Sequence, residues 1–120
     1  MCSSDLKRKK AAMKTITEVS NNLINVVERY ENLPLDDVFE LSEILRILDV
    51  NLSNLVHVRD EYYNSFQSHV FNSQAKSAAA KKAEAEFKVP ELDLCRKILS
   101  QYGEVQRSVR TQISLRKKQD

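Results

Sequence analysis

Leu41, Leu45, Leu48, Leu52 and Leu55 recur at alternating steps of four and three, and Tyr62 and Phe66 prolong the stripe. That alternation sets every one of these side chains on one seam of a single helix. The run predicts a helix over residues 37–72. Leu41, Leu48, Leu55 and Tyr62 hold one heptad position, and Leu45, Leu52, Arg59 and Phe66 hold the other. Ile44, Ile47, Asn51, Asn54 and Val58 fall on the flank. A narrow seam of this length calls for another helix against it.

Two further seams follow the same rule. Ile16, Val19, Leu23, Val26, Tyr30 and Leu33 predict a first helix over residues 11–32. Cys95, Leu99, Tyr102, Gln106, Val109 and Ile113 predict a return helix within residues 89–120, with Ile98 and Val105 beside them. Leu33-Pro34 ends the first helix, because proline disfavours helical geometry in the residue before it. Asp37 reads as the N-cap of the second helix, with Glu40 three residues on completing a capping box. Pro90 suits a first-turn position, with Glu91 and Asp93 favourable beside the positive helix end. Residues 73–88 carry good helix formers but few large apolar side chains, so they read as an exposed helix or a linker. Residues 1–10 read as a disordered basic leader, in which Lys7-Arg8-Lys9-Lys10 resembles a nuclear-import tract.

The resulting fold class is all-α. It comprises two or three long helices in an antiparallel hairpin or coiled-coil arrangement, completed by a partner chain. Composition supports it: one glycine, two prolines, 30% charged and 42% apolar residues. A chain of 120 residues built as extended helices closes only a shallow core alone. The seam residues Ile16, Val19, Leu23, Val26, Tyr30, Leu41, Leu45, Leu48, Leu52, Leu55, Tyr62, Phe66, Leu99, Tyr102, Val109 and Ile113 are therefore the candidate partner interface. The pattern still runs at Ile113 and Leu115, which reads as a shortened chain.

Net charge is only +2, but it is segregated. The N-terminus is basic, the stretch from Glu28 to Asp49 is acidic, and Arg107, Arg110, Arg116, Lys117 and Lys118 make the C-terminus basic again. The basic ends leave a weak nucleic-acid contact as one expectation and plain solubility as the other. Cys2 and Cys95 are too few and too far apart for a disulfide framework or a zinc site, which favours a reducing compartment. No run is long and apolar enough for a membrane span.

Candidate chemistry is sparse. One glycine rules out a phosphate-binding loop. No nucleophile, base and orienter recur together, and His57 and His69 have no ligand-spaced companions. The expectation is no enzyme, no cofactor, no metal and no small-molecule substrate. Arg59, inside the apolar stripe, reads as a side chain reaching out to a nearby carboxylate. Gly103, inside a helix, marks either a close helix approach or a tolerated cost of roughly 1 kcal/mol.

Two blocks resemble the N-terminal helical domain of the inhibitor-of-growth (ING) family. The first is Tyr30-Glu31-Asn32-Leu33-Pro34 followed by Leu45-Arg46-Ile47-Leu48-Asp49, and the second is Ile98-Leu99-Ser100-Gln101-Tyr102-Gly103 followed by Ile113-Ser114-Leu115. The likeness spans about residues 23–115. This chain departs from the family pattern by one extra residue before Asp49 and by its basic leader. It also lacks the cysteines and histidines of the family's PHD zinc finger, so histone-mark reading is not carried over. The resemblance implies a nuclear, non-catalytic scaffold subunit that joins a histone acetyltransferase or deacetylase complex through helical packing, as a homodimer or a hetero-complex. The seams alone fit equally a coiled-coil subunit of an unrelated kinetochore, spindle or vesicle-tethering assembly, with a cytoplasmic location as the alternative to a nuclear one.

Overall fold

The computed structural model describes residues 3–33 and 37–119. These form α1 (Ser3–Glu31), α2 (Val38–Asn72), α3 (Ala78–Lys88) and α4 (Pro90–Gln119). The fold is all-α, with no strand among the described residues. Helix α1 begins at Ser3, so the expected disordered leader is helical from that residue on. Lysine, arginine, alanine and methionine dominate its first turns, and no glycine or proline interrupts them.

The helix ends follow local chemistry. The Asp37 carboxylate accepts the Glu40 N–H at 3.0 Å, capping α2. Glu40 does not return the bond as a capping box would; its carboxylate takes Arg29 of α1 instead. After α2, Ser73 Oγ donates to Glu84 Oε2 at 2.7 Å and accepts the Ala75 N–H at 3.2 Å. Ser77 then caps α3 by accepting the Ala80 N–H at 3.1 Å. The segment expected as a linker or exposed helix is thus a serine-pinned turn followed by α3, whose Ala85 is fully buried. The break between α3 and α4 falls on Val89, at φ −129°, immediately before Pro90. Val89 is itself buried, which holds the bend against the core.

Helix α2 is the spine, with α1 and α4 both packed antiparallel upon it and α3 against its C-terminal end. Asn22–Asn51 and Arg29–Glu40 tie α1 to α2, and Asp49–Gln106 and Asp49–Arg110 tie α2 to α4. The buried set on α2 is Leu41, Ile44, Leu48, Asn51, Leu52, Leu55, Val58 and Tyr62. The narrow seam is therefore too narrow. Ile44, Asn51 and Val58, expected on a flank, are buried, whereas Leu45, Arg59 and Phe66 are only half-buried. A helix gripped from two sides buries three heptad columns rather than two.

The core runs along α2 as a strip. Leu23, Ile44, Leu48, Leu55, Cys95 and Val109 are its most enclosed large side chains. The molecule measures 61 × 31 × 18 Å with a radius of gyration of 18.5 Å. A compact domain of this length has a radius of about 14 Å. Its accessible surface of 8471 Å² also exceeds the roughly 6,600 Å² expected of a compact monomer of this mass. Much of the outer helix surface is consequently left uncovered.

Candidate functional site

The sixteen seam residues lie in the interior of the chain. Ile16, Val19, Leu23, Val26, Leu41, Leu48, Leu52, Leu55, Tyr62, Val109 and Ile113 are buried, and Tyr30, Leu45, Phe66, Leu99 and Tyr102 are half-buried. The chain's own helices cover them. A candidate site must be sought on the faces that this packing leaves open.

Polar contacts between helices define those faces. Asn22 Nδ2 donates to Asn51 Oδ1 at 3.0 Å, and Asn51 Nδ2 donates to the Ile47 carbonyl at 2.8 Å. Asn51 is the buried polar residue of the described core, and both halves of its amide are bonded. A shallow groove of about 250 Å³ beside it is lined by Asn22, Asn25, Val26, Arg29, Ile47 and Asn51. Across α2, Asp49 accepts from Gln106 and from Arg110, the latter at 3.4 Å. This contact sets the acidic first half of α2 beside the basic second half of α4. The C-terminal positive charge is thus opposed within the fold, while the basic start of α1 lies at the other end of the bundle.

The third face lies between α1 and α4, away from α2. Tyr30 Oη and Ser108 Oγ share a hydrogen bond at 3.0 Å, which fixes the two helices in parallel register. The same offset brings Val27 level with Val105 and Ser20 level with Ile98. Asn22 and Arg29 mark the flank of α1 turned to α2. At about 100° per residue, Met13, Ile24 and Val27 fall on the opposite flank. On α4, Leu94, Ile98 and Val105 occupy the matching edge, on the side of Ser108. Met13, Ile24 and Leu94 are exposed, while Val27, Ile98 and Val105 are half-buried. By this helical geometry the six side chains line an apolar cleft along α1 and α4 on the side away from α2. Hydropathy ranked these positions below the leucine stripe, so only their coincidence in space reveals them.

The remaining candidates are structural. Arg59 pairs with the adjacent Asp60 at 3.1 Å, as expected of a side chain reaching out of an apolar stripe. A Cβ added at Gly103 would meet nothing within 4 Å, so this glycine marks no close helix approach within the chain. Burial pushes the Tyr62 phenol up to about 12, with the Glu91 charge adding to it. Burial likewise raises the Cys95 thiol, again with help from Glu91. The hydrogen bond from Ser73, then that from Lys88, holds the Glu84 carboxyl below its ordinary range. His57 is exposed and His69 half-buried, and no group of three or more metal-ligating side chains converges among the described residues. No described helix is long and apolar enough to cross a membrane. Cys2 and Pro34–Asp36 lie outside the described residues.

Comparison of the chain with family models, curated proteins and solved structures yields no match.

Proposed function

We propose that this chain is a non-catalytic assembly subunit of a nuclear chromatin-modifying complex, built around a histone acetyltransferase or deacetylase. The observation that carries an assembly role is the apolar cleft between α1 and α4. A surface that groups Met13, Ile24 and Leu94 beside half-buried Val27, Ile98 and Val105 is the kind that protein partners cover. The two sequence blocks resembling the inhibitor-of-growth helical domain supply the chromatin assignment. Their arrangement is consistent with it: Asp49 of the first block reaches Gln106 and Arg110 on α4, between the two parts of the second.

The chain acts here as a rod. Antiparallel packing sets α1 and α4 at a fixed separation on α2, so the cleft is preorganised and binding need not order it. Affinity purification of the tagged chain from nuclei, with mass spectrometry, tests the reading. Acetyltransferase or deacetylase subunits are expected in stoichiometric yield. Recovery of kinetochore, spindle or tethering subunits without either enzyme would overturn the chromatin assignment.

A further inference from the structure

We infer that Ser73 is a phosphorylation site, and that a phosphoryl group on it releases α3 from the end of α2. The inference goes beyond the assembly reading and does not depend on it. In the covalent step Ser73 Oγ attacks the γ-phosphorus of ATP in a protein kinase. The Oγ–P bond forms as the bond to the β-phosphate oxygen breaks, ADP leaves, and the hydroxyl proton passes to the kinase's catalytic carboxylate.

Backbone and sequence single out this hydroxyl. Ser73-Gln74, Ser100-Gln101 and Thr111-Gln112 each set a glutamine directly after a hydroxyl residue, the pair that one class of protein kinase selects. Ser100 and Thr111 lie inside α4, and Thr111 donates to the Arg107 carbonyl. Ser73 instead lies in the turn between α2 and α3, in extended backbone at φ −70° and ψ 139°. Turns are the surface segments that another enzyme reaches most readily. Ser73 is half-buried, so its hydroxyl is freed when α3 lifts. That lift is local. Helix α3 has 11 residues, too few to persist without docking, and among the described residues it packs on α2 and α4 but not on α1.

The charge around Ser73 sets the direction of the response. Two features dock α3: the buried Ala85 and the 2.7 Å bond from Ser73 Oγ to Glu84 Oε2. Phosphorylation removes that donor and sets about two negative charges against the Glu84 carboxylate. The cations that bear on Glu84 are Lys88 and His69. Lys88 is already paired with Glu84 through its other oxygen, at 3.2 Å. Even with His69 charged, a carboxylate and a phosphoryl dianion outweigh these two cations. Lys76, exposed in the turn, and Lys81, near the start of α3, do not act on Glu84. Like-charge repulsion therefore opposes docking and the helix lifts, while α1, α2 and α4 stay packed.

The test treats the full chain with ATP, Mg²⁺ and a purified kinase selective for serine followed by glutamine, and maps the product by tandem mass spectrometry. Phosphate is expected at Ser73 ahead of Ser100 and Thr111. Phosphate at Ser77, Ser100 or Thr111 with none at Ser73 would overturn the site. Hydrogen exchange of the phosphorylated chain should then be at least about tenfold faster over residues 78–88, with α1 unchanged. Unchanged or slower exchange there would overturn the release. Two variants separate charge from the lost bond. Ser73→Asp should loosen α3 more than Ser73→Ala, which loses the hydroxyl and adds no charge. Adding Glu84→Gln to Ser73→Asp should restore the slower exchange of Ser73→Ala, since a carboxamide donates to a carboxylate. Equal exchange in Ser73→Asp with and without Glu84→Gln would contradict repulsion as the cause.

Discussion

Asn22 on α1 and Asn51 on α2 meet through a 3.0 Å side-chain hydrogen bond at the edge of the α1–α2 interface. The bond ties one register of α1 to one register of α2, since sliding either helix leaves a buried amide unpaired. Asn22→Ala should cost about 1 kcal/mol in urea unfolding, because it strips Asn51 of a partner. Asn51→Leu should be neutral or stabilising by about 1 kcal/mol, since it removes the need to satisfy a buried amide and the adjoining groove has room for the larger side chain. Its cost should appear as lost specificity: broader NMR line shapes on α1 at unchanged helicity.

Leu48 of α2 is fully buried in the core. Leu48→Asp should therefore unfold the chain rather than merely disconnect a partner. An unpaired carboxylate there costs several kcal/mol, comparable to the whole stability of a domain this small. Loss of the helical circular dichroism signal at 25 °C checks it. A folded Leu48→Asp variant would mean that the stripe is not the core.

Gly103 is a helical residue with open space where a Cβ would go. Gly103→Ala should raise stability by about 0.5–1 kcal/mol, through the smaller entropy of the unfolded chain. The check is a higher urea midpoint with an unchanged slope.

The raised phenol of Tyr62 gives the fold an alkaline limit. The unfolded chain releases this proton near pH 10, while the folded chain holds it to about 12. Between those values the unfolded state binds fewer protons, so stability falls as pH rises. Below about pH 10 the contribution is complete. Cys95, whose thiol is also raised, adds a fall of the same sign beginning lower. Thermal midpoints measured from pH 8 to 12 should drop, and Tyr62→Phe should flatten the upper part of that drop.

The helices were legible where one rule decided them. Burial follows the periodic seam of α1 from Ile16 to Tyr30 and that of α4 from Cys95 to Ile113, because each presents one face to the bundle. Asp37 and Pro90 marked their helix starts through capping chemistry and a missing N–H. The buried face of α2 is wider than its leucine period predicts, because this helix is held from two sides. Periodicity ranked Leu45 and Phe66 above Asn51, yet Asn51 is buried and they are not fully so. What decides is the Asn22 partner, 29 residues away, which hydropathy does not see. The cleft was illegible for a similar reason. Ile24 and Leu94 are ordinary surface residues until the Tyr30–Ser108 contact sets α1 beside α4.

The leucine stripe is covered by the chain's own helices, so the proposed docking surface is the α1–α4 cleft and not the stripe. Sedimentation equilibrium of the isolated chain over a wide concentration range, with helicity recorded at each point, tests this most directly. The expected result is a 13.8 kDa species whose helicity does not change on dilution. A larger species that loses its helicity as it dissociates would contradict this, and would show that the stripe is completed by another chain.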